Sequence, residues 1–203
     1  MNNNHPSKEK TLVVVKPDGL QRSLVGEVIK RIEQTGLKLV GIKLVVPDEE
    51  FVEKHYMLED GWLEAVGNKS INGYKKAGRK PPIEDPIEAG QFVLNTLKKY
   101  MTAGPVVATV WQGANSVGVV RKLVGGSEPM SSDVGTIRGD FMVDSYTMAN
   151  DDGRALRNVV HATGTQEEAK REIELWFDEK ELINYRLVQE QILYDVNIDG
   201  ILE

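Results

Sequence analysis

The sequence holds three histidines, and one of them, His161, lies in a segment suited to nucleophilic chemistry. The segment runs Arg157-Asn158-Val159-Val160-His161-Ala162-Thr163, and a stretch rich in Glu and Lys follows it. A neutral imidazole attacks phosphorus near pH 7 without a separate base, because its ordinary pKa leaves it partly deprotonated there. A lone histidine is more often a hydrogen-bonded core or surface residue, so the assignment depends on its companions.

Four other side chains near the ends of predicted elements suit phosphate chemistry, namely Lys16, Arg121, Ser127 and Arg138. Phosphoryl transfer requires placement and positive charge around the transferred group, and a guanidinium pairs with two phosphate oxygens at once. The phosphate-binding P-loop, the dinucleotide-binding glycine motif, HExxH and G-x-S-x-G are all missing from the sequence. Each of the four residues alone is usually solvated, and composition does not show that they converge.

Composition restricts the class of protein. With 203 residues, 28% of them charged and 40% hydrophobic, the chain suits one globular domain. The net charge of −6 disfavours a nucleic-acid surface as the main function. The lack of cysteine excludes thiolate nucleophiles and disulfides and fits a reducing compartment. Residues 1–10 show no signal peptide and no apolar run reaches membrane length, so we expect a cytoplasmic protein without a membrane partner.

Hydrophobic periodicity and turn residues predict an alternation of strands and helices. A buried strand at Thr11–Val15 ends in the loop Lys16-Pro17-Asp18-Gly19, which we expect at a sheet end. The other predicted strands are Leu37–Val46, Pro105–Trp111 and Phe141–Val143. The predicted helices are Val25–Ile32, a short segment capped by Asp48, Gln91–Met101, a segment after Asn115 and a segment after Thr165. Thr165 and Glu168 form a predicted capping box at the start of the last helix.

This order of elements predicts an α+β fold, a split βαβ antiparallel sheet with helices on one face. A polar tail covers residues 1–10 and a single domain covers 11–203. Two segments poor in apolar periodicity, at about 62–90 and 145–156, are predicted to be surface insertions.

Five motifs occur in the order found in nucleoside diphosphate kinases, and from about Thr11 to Tyr185 the chain resembles that family. They are Lys16-Pro17-Asp18-Gly19-Leu20-Gln21-Arg22, His55-Tyr56, Gly104-Pro105-Val106-Val107, Gly135-Thr136-Ile137-Arg138-Gly139-Asp140-Phe141 and Asn158-Val159-Val160-His161. The resemblance implies a ferredoxin-like sheet and an insertion-bearing member of the family.

The resemblance also implies an activity. The γ-phosphate of a nucleoside triphosphate would pass to a nucleoside diphosphate through a phosphohistidine, by ping-pong kinetics, which balances cellular nucleoside triphosphate pools. His161 matches the nucleophile, Glu172 the carboxylate that hydrogen-bonds it, and Tyr56 a tyrosine near the terminal phosphate. The family further implies a homo-oligomer, either hexamer or tetramer, and little preference for the nucleobase.

The binding residues follow by the same match. Arg121, Ser127 and Arg138 correspond to the phosphate clamp, and Lys16 and Asn158 to the residues that hold the sugar hydroxyls. Mg²⁺ would be held mainly by phosphates and water, so no protein metal ligand is predicted. Trp62 is a candidate for stacking on the base, and core packing is the alternative for this side chain.

The chain departs from the family pattern at several positions. Ser127 stands where threonine is usual, Glu128 replaces an asparagine, and Ala162-Thr163-Gly164 replaces Gly-Ser-Asp. Two alternative functions follow: a catalytically impaired nucleotide-binding regulatory module, and a nucleic-acid-associated regulator that uses the basic stretch Lys75–Lys80. The acidic net charge makes the second of these the weaker.

Overall fold

The fold is built on a four-stranded antiparallel sheet, and the computed structural model describes residues 5–57 and 60–194. The strands are β1 (Lys10–Val15), β2 (Lys38–Val45), β3 (Val106–Gln112) and β4 (Val160–Ala162), arranged in the order β2-β3-β1-β4. With β1 and β3 in the centre, this is the split βαβ arrangement of the ferredoxin-like fold. The α+β prediction is confirmed.

Ten α-helices lie within the described residues, and their first turns show why several begin where they do. Asp48 accepts a hydrogen bond from the Phe51 N–H, and Thr165 accepts one from the Glu168 N–H, as the sequence predicts. The helices are α1 (Pro17–Gln21), α2 (Val25–Glu33), α3 (Glu49–Tyr56), α4 (Trp62–Lys76), α5 (Pro86–Met101), α6 (Ser116–Val124), α7 (Ile137–Phe141), α8 (Tyr146–Asp151), α9 (Gln166–Trp176) and α10 (Glu190–Tyr194). None of these helices is both long and apolar enough to cross a bilayer.

Helices cover both faces of the sheet, so the prediction of helices on one face only was wrong. Leu12 and Val14 of β1 belong to a core cluster with residues of α3 and α9. Val13 and Val15 point to the opposite face and pack with residues of α2 and α6. A strand buried on both faces shows a continuous apolar run instead of an alternating pattern, which is what Thr11–Val15 presents.

The fourth strand is not the predicted one. Residues 142–145 adopt no regular structure, and Phe141 ends α7, which begins after Thr136 because that side chain accepts a hydrogen bond from the Gly139 N–H. The strand that completes the sheet is β4, where His161 pairs with Val14 of β1. The nucleophile candidate His161 therefore lies on β4, an edge strand, beside the central strand β1.

Part of the segment predicted as a surface excursion is a helix that packs closely on the next one. The α4 helix lies against α5, and Gly67 and Gly90 allow their backbones to approach. A Cβ atom on Gly67 would lie 1.8 Å from the Pro86 carbonyl oxygen, and one on Gly90 would lie 2.1 Å from the Leu63 carbonyl oxygen. Two glycines thus make α4 and α5 a tightly packed helical pair, which we name the α4–α5 hairpin.

We expect Gly67→Ala to destabilise the protein by roughly 1–3 kcal/mol, because the new methyl group meets backbone atoms of α5 that cannot move aside. Gly73→Ala in the same helix is the matched control. A Cβ atom on Gly73 would meet no atom within 4 Å apart from its chain neighbours and the backbone of its own helix, so alanine should stabilise the helix by about 0.5–1 kcal/mol. Urea unfolding of both variants measures the difference, and a Gly67→Ala protein as stable as the wild type would contradict the close packing.

Candidate active site

His161 is held by a hydrogen bond at one of its two ring nitrogens. Its Nε2 lies 2.9 Å and 3.0 Å from the two carboxylate oxygens of Glu172 on α9. The Thr163 hydroxyl donates to the same carboxylate at 2.7 Å. Among the described residues Nδ1 of His161 has no hydrogen-bond partner, so the ring presents one fixed and one free nitrogen. Thr163, where the family pattern has serine, keeps the hydroxyl in place.

Glu172 remains a carboxylate although it is buried. Burial by itself would raise its pKa, but the neighbouring His161 and the hydrogen bonds from His161 and Thr163 outweigh burial and lower the pKa to about 2. A carboxylate that stays charged across the neutral range attracts a proton to the Nε2 side of His161. The lone pair of the neutral ring is then on Nδ1.

His55 of α3 packs against the ring of His161, a contact that the sequence did not predict. Its ring meets the His161 ring edge to face, with centroids 4.6 Å apart, and its Nδ1 accepts a hydrogen bond of 3.2 Å from the Trp176 Nε1–H. Burial, and then the neighbouring His161, lower the pKa of His55 to about 3, so it stays neutral. Of these three side chains, only His161 and Glu172 are therefore expected to carry charge.

A strained turn sets the direction in which β4 leaves the loop. Val159 has φ 65°, a value that branched residues rarely adopt, and the Val160 N–H donates to the Asn158 carbonyl at 2.7 Å. Asp18 accepts a hydrogen bond from the Val159 N–H. A Cβ atom at Gly19 would lie 3.0 Å from the Val159 carbonyl oxygen, so this glycine permits the close approach. The loop after β1 and the turn before β4 thus fix each other.

Lys16 lies at the bottom of the site in an almost water-free position. Its Nζ donates to the Asn158 side-chain oxygen at 2.8 Å and lies 5.2 Å from the centre of the Tyr100 ring. Tyr100 donates to Asp18, which ties this part of the site to the loop after β1. Burial and the charge of Arg138, opposed by Asp18, lower the pKa of Lys16 to about 7. The predicted pair Lys16 and Asn158 is therefore in direct contact.

Arg138 uses most of its donors inside the protein. Its guanidinium donates to the backbone carbonyls of Asn158, Gly125, Gly126 and Val160 at 3.3, 3.2, 3.0 and 2.7 Å. A guanidinium has five N–H groups, so little of this one is left for a ligand. Burial and Arg121 lower the pKa of Arg138 to about 10, and it remains charged at neutral pH.

A cleft of about 970 Å³ brings most of the predicted site residues together. The predicted residues that line it are Lys16, Tyr56, Arg121, Ser127, Arg138, Asn158 and His161. Arg121 is exposed, and the one hydrogen bond that its side chain makes to a described residue, the Ala162 carbonyl, is long at 3.4 Å. Its guanidinium is therefore the more available of the two arginines. Glu168 is the only carboxylate among the described residues that line this cleft.

Two neighbouring aromatic residues, Tyr56 and Trp62, differ in their access to the cleft. The Tyr56 hydroxyl is buried and has no hydrogen-bond partner among the described residues, and burial raises its pKa. An orphan buried donor of this kind suits a ligand atom. The Trp62 ring lies 5.7 Å from the Tyr56 ring and is not among the residues that line the cleft. Stacking of Trp62 on a base remains a prediction.

The unusual Glu128 is not among the residues that line the cleft, and its carboxylate has partners within the protein. Its carboxylate accepts hydrogen bonds from the Tyr146 N–H at 2.8 Å and from the Ser131 hydroxyl at 3.0 Å. Tyr146 is the first residue of α8, so Glu128 serves the N-terminal end of that helix, where negative charge is favourable. Glu128 thus holds the start of the segment 145–156 in position, and these hydrogen bonds stabilise its negative charge there.

Comparison with known proteins identifies the family. The family model described as nucleoside diphosphate kinase matches residues 9–62 and 87–182. A nucleoside diphosphate kinase from Pyrobaculum aerophilum is 44% identical over 179 residues, which cover 86% of this chain and 98% of that protein. The chain belongs to the nucleoside diphosphate kinase family. One from Borreliella burgdorferi is 36% identical over 178 residues, 88% of this chain and 92% of that protein.

Solved structures of nucleoside diphosphate kinases share the fold. The crystal structure of the Pyrobaculum aerophilum enzyme gives a TM-score of 0.84 at 42% identity and covers 87% of this chain and 100% of that one. A transition-state mimic of the Borrelia burgdorferi enzyme with bound vanadate and ADP gives a TM-score of 0.75 at 34% identity, with 93% and 98% covered. The chain is therefore a nucleotide-binding phosphotransferase of the nucleoside diphosphate kinase type. The exact bounds of its domain and insertions stay predictions.

We expect nucleotide binding to take up a proton at Lys16. The free protein loses this proton as pH rises through about 7, and nearby phosphate charge would return the pKa toward its ordinary value of 10.5. Affinity for ADP should therefore fall as pH rises from about 7 to 9. Calorimetry in buffers of different ionisation enthalpy measures the uptake, and Lys16→Met should abolish it. An equal uptake in both proteins would assign the proton to another group.

Proposed function

We propose that this protein transfers the γ-phosphate of a nucleoside triphosphate to a nucleoside diphosphate through a phosphohistidine at His161, by ping-pong kinetics. The observation that carries the proposal is the ring of His161, which faces the cleft with Nε2 bound to Glu172 and, among the described residues, no partner at Nδ1. A relative captured with ADP and vanadate as a transition-state mimic supports phosphoryl transfer as the reaction.

In the first half-reaction the Nδ1 lone pair attacks the γ-phosphorus. The N–P bond forms while the bond to the β,γ-bridging oxygen breaks, and the nucleoside diphosphate leaves. The Nε2–H remains on the ring, and its hydrogen bond to Glu172 stabilises the positive charge that develops there. In the second half-reaction a terminal phosphate oxygen of the acceptor attacks the same phosphorus, the N–P bond breaks, and neutral His161 returns.

Different residues of the cleft would bind different parts of the nucleotide. Arg121 and Ser127 have the groups free to receive phosphate oxygens, and Arg138 adds its charge and holds the neighbouring loop in place. Lys16 and Asn158 form the polar pair proposed for the sugar hydroxyls. The orphan hydroxyl of Tyr56 would donate near the terminal phosphate.

Mg²⁺ is the proposed cofactor, held mainly by the nucleotide phosphates and water. A group of His55, His161 and Glu172 has ligand atoms within 4.8 Å of one another, but the Glu172 carboxylate already accepts hydrogen bonds from His161 and Thr163. Mg²⁺ prefers oxygen ligands in an octahedral arrangement, which two imidazoles and one carboxylate do not supply. When bound with the phosphates, the ion neutralises part of their charge. We also propose a cytoplasmic location, which the lack of cysteine favours.

The labelling experiment uses ATP that carries label on its γ-phosphate. The wild-type protein should acquire an acid-labile, alkali-stable label, and the isomer should be the Nδ1-phosphohistidine, because Nε2 is engaged. His161→Ala should lose the label, whereas His5→Ala, a matched histidine outside the cleft lining, should keep it. Binding of nucleotide without any label would instead support a catalytically impaired regulatory module.

A homo-oligomer, hexamer or tetramer, is part of the same proposal. β2 is an edge strand. Among the described residues, the segment after α9 hydrogen-bonds to its backbone at Val40, where the Ile183 N–H donates to the carbonyl, and at Leu39, whose carbonyl accepts from the Tyr185 hydroxyl. Farther along, Ile42, Leu44 and Val46 are exposed by 52, 64 and 69%. An apolar edge of this kind favours pairing with a second copy.

Leu44→Glu should reduce the molar mass in solution, because a charge on the paired edge would be desolvated. Light scattering after size exclusion measures the mass. Ile87→Glu, at another exposed apolar position on α5, should leave it unchanged. A Leu44→Glu protein with the wild-type mass would place the subunit contact elsewhere.

A further inference from the structure

The helix α9 directs two hydrogen-bonding side chains at two imidazole rings. Glu172 and Trp176 are four residues apart, so they lie on the same face of the helix, and both are buried. The Glu172 carboxylate accepts from Nε2 of His161, and the Trp176 Nε1–H donates to Nδ1 of His55 at 3.2 Å. The proposed nucleophile is thus paired with an acceptor and the neighbouring ring with a donor.

The hydrogen bond from Trp176 fixes the tautomer of His55. An indole N–H only donates, so the ring nitrogen that receives it must carry a lone pair. The ring is also neutral, because burial and His161, opposed by Glu172 and aided by Lys16, lower its pKa to about 3. The single proton of the His55 ring therefore lies on Nε2.

This position of the proton leaves a buried donor unused. Nε2 of His55 is buried and has no hydrogen-bond partner among the described residues. The other nitrogen, Nδ1, lies 3.9 Å from a carboxylate oxygen of Glu172, and a shift of about 1 Å would bring it to hydrogen-bond distance. Without Trp176, the tautomer with its proton on Nδ1 would gain a charged acceptor. The indole therefore imposes the tautomer that the carboxylate disfavours.

The tautomer of His55 matters for His161 because both rings lie next to the same carboxylate oxygen. The Glu172 oxygen that lies 3.9 Å from Nδ1 of His55 is also 2.9 Å from Nε2 of His161. A hydrogen bond from His55 to that oxygen would stabilise its negative charge and lower its basicity. Glu172 would then give less stabilisation to the positive charge that develops on His161 as the N–P bond forms.

We propose that Trp176 is a positioning residue for phosphoryl transfer: its indole N–H keeps the proton of His55 away from Glu172 and so reserves the carboxylate for His161. This inference rests on the proposed function and deepens it, since Trp176 acts on the nucleophile through two other side chains. Trp176 is buried and is not among the residues that line the cleft. Its loss should therefore slow the chemical step and leave nucleotide binding nearly unchanged.

The test replaces Trp176 with 3-benzothienylalanine, which has the shape of tryptophan but a sulfur atom in place of the indole N–H. Nitrogen-15 NMR of the histidine rings should show the proton of His55 on Nε2 in the wild type and on Nδ1 in the variant. Labelling of His161 by saturating γ-labelled ATP should be about 10-fold slower in the variant. Its affinity for ADP should stay within about 2-fold of the wild-type value.

The same analogue at Trp111 is the matched control. The Trp111 indole is also buried, and its N–H donates to the Thr109 hydroxyl at 2.9 Å, but it belongs to the core cluster on the opposite face of the sheet. Both variants lose one buried hydrogen bond, so urea unfolding should show a similar loss of stability. Only the Trp176 variant should change the His55 tautomer and the labelling rate.

A wild-type His55 with its proton on Nδ1 would overturn the proposal. So would a Trp176 variant in which His55 keeps its proton on Nε2, or one that is labelled as fast as the Trp111 variant. A wild type that acquires no label would refute the proposed function. The NMR result distinguishes the two failures, because the tautomer is measured without phosphoryl transfer.

Discussion

The hydrogen bond between a buried carboxylate and a histidine is the interaction on which the site depends. Glu172 lies in the core beneath the sheet, where a charge without a partner would be strongly destabilising. His161 and Thr163 supply the partners, and both lie on or next to β4. The bond that stabilises Glu172 also fixes the proton of His161 at Nε2. Stability and nucleophilicity are therefore served by one contact.

This contact requires β4 to be held in one register, and a strained turn does so. The φ of 65° at Val159 costs of the order of 1–3 kcal/mol. Neighbours on the loop after β1 maintain it, because Asp18 accepts from the Val159 N–H and the Lys16 N–H donates to the Val159 carbonyl. The motifs at residues 16–22 and 158–161 thus form two halves of one structure, although they are far apart in sequence. Changing either half would displace His161 relative to Glu172.

Some elements of the fold were predicted from the sequence because neighbouring residues alone determine them. The strand at Thr11–Val15 and the caps at Asp48 and Thr165 were predicted because a continuous apolar run and a capping side chain act within a few residues. The three-residue β4 is too short for periodicity and exists because it pairs with β1. The helix α4 was not predicted for a related reason. Its packing face contains Gly67, and a glycine favours this packing only because Pro86 approaches it in the folded chain. In the site, matching motifs named His161 and Glu172, whereas the contacts of His55, Asp18 and Tyr100 exist only in the folded chain.

The charge of the protein is divided unequally between the cleft and the remaining surface. The net charge of −6 would repel polyanions. Near the cleft, however, acidic groups are bound to internal partners: Asp144 to Arg154, and Glu128 to the start of α8. The cations of the cleft face a single acidic group among the described lining residues, so the local potential favours phosphate. A long nucleic acid would meet the negative surface, whereas a single nucleotide fits inside the cleft and meets mainly its cations.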